Sequence, residues 1–250
     1  VDRFGADCAH PRIELDALLL QYLEGAEGIA FRIGSHPLVE PLVLRTWATQ
    51  LDRAPRTGRA ALALVAPCPV LHRMRLRKEP PELERMREAC RISASAHELA
   101  RAAVRPGMTE RQVQALIEQH FLQQGARGAA YSSIVAGGDN ACVLHYIDNR
   151  DVLQEGDLLL IDAGCSLPDY YNGDITRTFP VGGRFTGEQR ELYSLVLAAQ
   201  EAAIDSVHPG QTAEDVHATA VRVMVEGLVD LGLLLGDVDG LIEQGAYRHL

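Results

Sequence analysis

The stretch IDAGCSLPDYYNGDITRTFP, from Ile161 to Pro180, decides the fold. An apolar run over 158–161 leads into it and has the length of a buried strand, far short of a membrane span. Asp162 ends that run, and Asp174 lies at the edge of a second strand-like stretch. A carboxylate beside a core is costly unless it is paired, hydrogen-bonded or bound to a cation. The stretch therefore predicts two paired strands whose aspartates share a partner.

The residues between the two aspartates favour tight reversals, at Pro168-Asp169 and at Asn172-Gly173. A hairpin would bring both carboxylates to one place. Two carboxylates attract a hard or borderline divalent cation such as Mn²⁺, Mg²⁺ or Co²⁺, and one carboxylate can bridge two ions. A structural pair, one capping and one turn aspartate, explains the spacing equally well.

His145 lies in the apolar stretch CVLHY over 142–146, ahead of a polar turn. Its imidazole is a candidate for the same site, although a lone histidine in such a stretch is more often structural. The sequence has no HExxH pair, no GxSxG elbow and no Walker loop. Serine hydrolases and P-loop proteins therefore have no support.

The composition is that of a globular protein. The 250 residues, 47% of them hydrophobic, are enough for one large or two small domains with a core. A net charge of −10 and a pI near 5.4 argue against nucleic-acid binding, and no polybasic patch suggests a membrane. Five cysteines without a CxxC pair favour a reducing compartment over a disulfide framework. We expect a cytoplasmic protein.

We predict a domain boundary near residue 76. Residues 1–76 combine a helical patch with short apolar pieces and a strand over 61–71, and 72–81 is basic, ends in two prolines and is typical of a linker. Residues 77–250 form the second domain, which begins with a long helix over 82–104. On that helix one face carries Leu83, Met86, Cys90, Ala94 and His97.

One pattern occurs twice in the second domain. Pro106 and Gly107 precede a helix with a capping box of Thr109 and Gln112, and the same PGxTxxxV pattern recurs over 209–216. A long helix precedes each copy, the second one starting at a capping box over 186–189. This order indicates an internally duplicated α/β domain. The alternative is coincidence, since such turns are common ahead of capped helices.

Four segments together carry a family resemblance: YSSIVAGGDN over 131–140, CVLHY over 142–146, IDAGC over 161–165 and GDITRTFP over 173–180. They resemble the Xaa-Pro aminopeptidase (aminopeptidase P) family of the creatinase/methionine aminopeptidase superfamily, from about residue 72 onward. The resemblance implies an α/β (α+β) catalytic domain of pita-bread fold with an internal pseudo-twofold. Part of an amino-terminal α/β domain would precede it.

The resemblance also implies a metallo-aminopeptidase that releases an N-terminal residue preceding proline from peptides. Asp162 and Asp174 would be the first two ligands of a dinuclear centre, usually of Mn²⁺, with Asp174 bridging the ions. A metal-bridging hydroxide would attack the scissile carbonyl. His145 would contact the substrate near the scissile bond, and Tyr131 and Arg177 would shape or support the site. Members of the family often form homo-oligomers.

The sequence departs from the family pattern in three ways. It has one residue more between the aspartates, within 167–172. A turn can absorb this residue, whereas a slip within a strand would point one carboxylate to the wrong face of the sheet. The family's histidine ligand, two glutamate ligands and further catalytic histidines would lie beyond residue 250, and the amino-terminal domain is expected to be incomplete. Since each ion needs several protein ligands to compete with water, we expect a fragment that is inactive alone.

Three alternatives stay open. A dipeptidase (prolidase) of the same family would share the aspartate motifs. A non-catalytic pita-bread module would use the fold as a binding platform, and a creatinase-like hydrolase would work without metal. The paired aspartates disfavour the last two, because neither function needs them.

We predict that the 250 residues with added Mn²⁺ do not hydrolyse an Xaa-Pro peptide, because two carboxylates alone hold metal poorly. Mass spectrometry of the products measures this, and robust turnover would contradict it. Comparing an Xaa-Pro dipeptide with a longer peptide separates dipeptidase from aminopeptidase if turnover is seen.

Overall fold

In the computed structural model, which describes residues 5, 7–24, 26–58 and 63–249, the chain divides into the units Val1–Pro80 and Pro81–Leu250. The division near residue 76 stays our proposal for the domain organisation. Elements of the first unit are α1 (Leu15–Tyr22), β1 (Gly28–Ala30), α2 (Glu40–Thr57), β2 (Ala63–Val65) and α3 (Cys68–Leu76). Strands β1 and β2 are parallel, and Ile29 and Val43 are buried between them and α2 with Trp47 and Leu64.

The strand predicted over 61–71 is wrong beyond residue 65. Strand β2 ends at Val65, and α3 starts at Cys68 and takes in the first half of the predicted linker. Residues 61 and 62 lie outside the described residues. Two prolines explain the change: Pro67 and Pro69 stand at the helix start, where proline's fixed φ suits the first turn, and neither has an N–H for a sheet.

The second unit is built on a three-stranded antiparallel sheet. The second unit contains the strands β3 (Gly128–Ala129), β4 (Ile134–Gly137), β5 (Leu158–Asp162), β6 (Cys165–Ser166) and β7 (Thr176–Pro180). Strand β5 lies between β4 and β7, while β3 and β6 pair separately. Leu159 and Ile161 of β5 are fully buried, as the apolar run predicted. The register places Asp162 opposite Thr176, so the first aspartate ends the central strand.

Two helix pairs repeat as the sequence predicted. The helices of the second unit are α4 (Pro80–Ala103), α5 (Glu110–Gln123), α6 (Gly187–Asp205), α7 (Ala213–Asp230) and α8 (Val238–Gln244). The capping boxes of α5 and α6 are present, and α7 has a third, formed by Thr212 and Asp215. Gly107 and Gly210 both adopt left-handed φ, 89° and 100°, ahead of the capped helices. In the described ranges every helix is too short or too polar to cross a membrane.

Of the five residues predicted to share one face of α4, only His97 is buried. Leu83 and Cys90 are exposed. The buried residues are Ala89, Ile92, Ser93, Ala96, His97 and Ala100. Ala89 and Ser93 are small where the chain passes very close to the helix: a Cβ on Gly173 would lie 2.2 Å from Oγ of Ser93. Helix α4 therefore presses against the segments that carry the two aspartates.

Two glycines allow those segments to touch. A Cβ on Gly164 would lie 1.8 Å from the carbonyl oxygen of Gly173, a distance that no side chain tolerates. Gly164 follows Asp162 by two residues, and Gly173 immediately precedes Asp174. The absence of side chains at these positions therefore sets how closely the two aspartates approach.

We predict that Gly164→Ala lowers the free energy of unfolding by about 1–3 kcal/mol or more, because the new methyl group meets a backbone carbonyl that cannot rotate away. Gly187→Ala is the matched control, since no other atom lies within 4 Å of its added Cβ and it begins a helix. We expect that control to unfold at the same or slightly higher urea concentration. Equal stability of the two variants would contradict the close approach.

Candidate functional site

The chain reverses between the two aspartates in a short hairpin. The N–H of Tyr170 donates to the carbonyl of Leu167, and the N–H of Leu167 donates to the carbonyl of Tyr171, both at 2.9 Å. Tyr170 takes the left-handed conformation, with φ of 69°, that ends a three-residue hairpin loop. Of the two predicted reversals, Pro168-Asp169 is the turn, whereas Asn172 pairs with Ser166.

Strand pairing is intact on both sides of this turn. The N–H of Ala163 donates to the carbonyl of Ile175 at 3.1 Å, and the N–H of Gly173 donates to that of Cys165 at 2.9 Å. The extra residue expected within 167–172 therefore lies in a region where the turn absorbs it. Neither carboxylate is displaced to the wrong face of the sheet.

Asp162 and Asp174 converge on the phenol of Tyr131. The Tyr131 hydroxyl lies 2.6 Å from Oδ1 of Asp162 and 2.8 Å from Oδ1 of Asp174. A phenol has one hydrogen to donate, so the two carboxylates compete for it. Asp162 is half-buried and Asp174 is exposed. The structure thus brings together three of the five residues that the sequence suggested for the site.

The environment keeps Tyr131 protonated. Burial raises the pKa of Tyr131 above its ordinary value, and the hydrogen bonds to Asp162 and Asp174 raise that pKa further. Ionisation would place a third negative charge beside two carboxylates. The hydroxyl is therefore a hydrogen-bond donor at neutral pH.

The donor set suits a divalent cation. Two carboxylate oxygens meeting at one point are ligands of the type that Mn²⁺ and Mg²⁺ prefer, and a cation would relieve a repulsion that one phenol hydrogen offsets only in part. Within the residues that the structure describes, no group of three or more His, Cys, Asp and Glu side chains is arranged to hold a metal. Asp162 and Asp174 by themselves would therefore not complete a metal site.

His145 and Arg177 are not hydrogen-bonded to this cluster. Within the described chain neither forms a hydrogen bond with Asp162 or Asp174, and both side chains are exposed. Nη1 of Arg177 donates to the carbonyl of Thr176 at 2.7 Å. His145 has a positive φ of 57°. The roles expected for these two residues stay proposals.

His97 is a neighbour of the site that the sequence placed only on a helix face. Its Nε2 lies 3.0 Å from the carbonyl oxygen of Ala163, next to Asp162. A carbonyl only accepts, so Nε2 carries the hydrogen and Nδ1, which is buried and without a partner among the described residues, does not. Burial lowers the pKa of His97 and favours this neutral form. The hydrogen bond from His97 thereby fixes the backbone at Ala163, directly after Asp162.

Comparison with known proteins finds relatives over nearly the whole chain. Residues 84–249 match metallopeptidase family M24. The Xaa-Pro aminopeptidase of Escherichia coli is 40% identical over 248 residues, 99% of this chain and 56% of that protein. The Xaa-Pro aminopeptidase of Haemophilus influenzae is 49% identical over 181 residues, 72% of this chain and 42% of that protein. The chain spans about half the length of the curated relatives it matches.

Solved structures agree with these matches. The aminopeptidase of Pseudomonas aeruginosa superposes with a TM-score of 0.93 at 42% identity, over 99% of this chain and 56% of its own. A variant of Escherichia coli aminopeptidase P in complex with substrate superposes with a TM-score of 0.92 at 40% identity, over 99% and 56%. A zinc-substituted Escherichia coli aminopeptidase P in complex with product gives 0.91 at 40% identity, over 98% and 55%.

The raised pKa of Tyr131 predicts a loss of stability at alkaline pH. In the unfolded chain the phenol ionises near pH 10, about its ordinary value, while the folded chain keeps the proton to higher pH. The stability from this group is complete below about pH 10 and is lost as the pH rises through the folded pKa. Tyr131→Phe should remove that part of the alkaline loss, and should cost about 1–3 kcal/mol at neutral pH.

Urea unfolding at a series of pH values from about 8 to 11 measures both effects. Tyr170→Phe is the control, because this side chain is exposed at the hairpin tip. Parallel stability curves for the wild type and Tyr131→Phe would contradict the shared hydrogen bond.

Proposed function

The chain belongs to metallopeptidase family M24, and we propose that it acts as part of a metal-dependent Xaa-Pro aminopeptidase. The reaction is release of the N-terminal residue from a peptide whose second residue is proline. Relatives that match over most of this chain bear that name, and its structural neighbours share the pita-bread fold of the family. The observation that carries the proposal is the convergence of Asp162 and Asp174 on the hydroxyl of Tyr131.

Two divalent metal ions, Mn²⁺ as the first choice, are the cofactors that we propose. Asp162 and Asp174 would hold them through carboxylate oxygens, which suit Mn²⁺. When bound, the ions supply Lewis-acid polarisation of the scissile carbonyl. Tyr131 lies within hydrogen-bond distance of both carboxylates and would orient them by donating its one hydrogen to either. The close approach of Gly164 to Gly173 holds the two backbone segments together.

We assign the remaining candidate residues to the substrate. His145 is exposed, so its ring is accessible to a peptide near the scissile bond. Arg177 lies on β7, two residues after Ile175 and three after Asp174, and supports the site from that strand. Peptides with proline in second position are the proposed substrates. Homo-oligomerisation and a cytoplasmic location are further proposals, the second supported by five free cysteines.

We predict that this chain can replace the matching 248 residues of the Escherichia coli Xaa-Pro aminopeptidase. The hybrid with Mn²⁺ should release the first residue of an Xaa-Pro peptide. Asp162→Asn or Asp174→Asn in the hybrid should lower kcat/KM by at least about 100-fold, more than is usual for changes outside the ligand set. Asp205→Asn, an exposed change at the end of α6, is the control and should leave activity intact.

Mass spectrometry of the released residues measures the hybrid's activity. Isothermal titration of Mn²⁺ into the hybrid gives a readout that does not need catalysis, and the two aspartate variants should abolish the binding heat. A folded hybrid that neither binds Mn²⁺ nor cleaves the peptide would overturn the proposed function.

A further inference from the structure

We propose that Glu110 and Tyr146 are positioning residues for His145. A buried carboxylate on α5 anchors, through the Tyr146 hydroxyl, the loop that carries the histidine. The role given to His145 rests on the proposed function, whereas the anchoring of the loop is a property of the fold.

Glu110 is fully buried in the first turn of α5 and is surrounded by donors. Its Oε1 accepts from the N–H of Gly137 at 2.8 Å and from Nδ2 of Asn140 at 3.0 Å. Its Oε2 accepts from the hydroxyl of Tyr146 at 2.8 Å and from the N–H of Asp151 at 3.0 Å. A carboxylate accepts from all four partners, which compensates its burial. Glu110 therefore joins the helix to the segment ahead of the loop, to Tyr146 within it and to its end at Asp151.

That loop needs such anchors because its backbone is irregular. Residues 143–151 contain neither helix nor strand, and His145 and Asn149 have left-handed φ values of 57° and 47°. Non-glycine residues hold this conformation only when the surroundings enforce it. Asn149 is fully buried; its Oδ1 accepts from the N–H of Val135, and its Nδ2 donates to the carbonyl of Ser133. The two flanks of the histidine are thus fixed by side chains.

Other polar residues on the same side of α5 extend the anchor. Oε1 of Gln114 accepts from Nδ2 of Asn149 at 3.0 Å, and Oε1 of Glu118 accepts from Oγ of Ser133 at 3.0 Å. The adjoining stripe of the helix, which includes Ile117 and Phe121, is fully buried in the core. The loop is therefore tied to a helix that the core itself holds still.

Tyr146 is the contact closest to the histidine. It follows His145 directly. Burial raises the pKa of Tyr146, and its hydrogen bond to Glu110 raises that pKa further. The hydroxyl is therefore a donor at neutral pH. By contrast Val143 and Leu144, just before the histidine, are 55% and 86% exposed. The backbone at His145 is anchored while its ring stays open to a ligand, which is the arrangement that a positioned substrate contact requires.

Hydrogen exchange of the 250-residue chain tests the anchor. Tyr146→Phe removes the hydroxyl and keeps the ring, so amides over 143–151 should exchange about tenfold faster, with little change in global unfolding. Glu110→Gln should have a larger effect, because its amide would point a donor at other donors. Tyr193→Phe, on α6, is the matched control and should leave the loop unchanged. Unchanged exchange in both Tyr146→Phe and Glu110→Gln would overturn the anchor.

A double-mutant cycle in the hybrid enzyme tests positioning. Tyr146→Phe should lower kcat/KM by about tenfold in the parent, and should have almost no further effect beside His145→Ala, since it acts through that histidine. Full additivity of the two changes would overturn the positioning role. Faster loop exchange together with an inactive, folded hybrid would support the anchor and count against the proposed function instead.

Discussion

Two carboxylates that share one phenol hydrogen are the constraint on which the rest of the second unit depends. Tyr131 lies within hydrogen-bond distance of both Asp162 and Asp174, and this is possible only where two chain segments meet without side chains between them. Gly164 and Gly173 provide that meeting point. Helix α4 closes it from one side with small residues, because any larger side chain would separate the segments.

The acidic side chains of the second unit differ in how many hydrogen bonds they receive. Glu110 is buried and receives four hydrogen bonds from the protein, so nothing further is required of its surroundings. Asp162 and Asp174 receive one hydrogen between them. A satisfied carboxylate stabilises structure, and an unsatisfied pair attracts a cation. This contrast distinguishes the anchor of the loop from the candidate metal ligands, although all three residues are acidic.

Local signals were read correctly where a few neighbouring residues decide the outcome. The end of β5 at Asp162, the capping boxes at Thr109 and Thr186, and the reversal at Pro168-Asp169 all depend on contacts within about one turn of chain. The error over 61–71 is also local, because two prolines there start a helix. Which residues of α4 are buried depends instead on contacts distant in sequence, such as that of Ser93 with Gly173.

The sequence by itself therefore determined the strands and capped helices of this protein and its likeness to a family of metallopeptidases, since these follow from short patterns along the chain. Only the tertiary structure decided which groups meet. Tyr131 reaches carboxylates that are 31 and 43 positions away, and Glu110 reaches a tyrosine 36 positions away. Contacts of that range depend on how the sheet and helices pack, and that packing is a property of the whole fold.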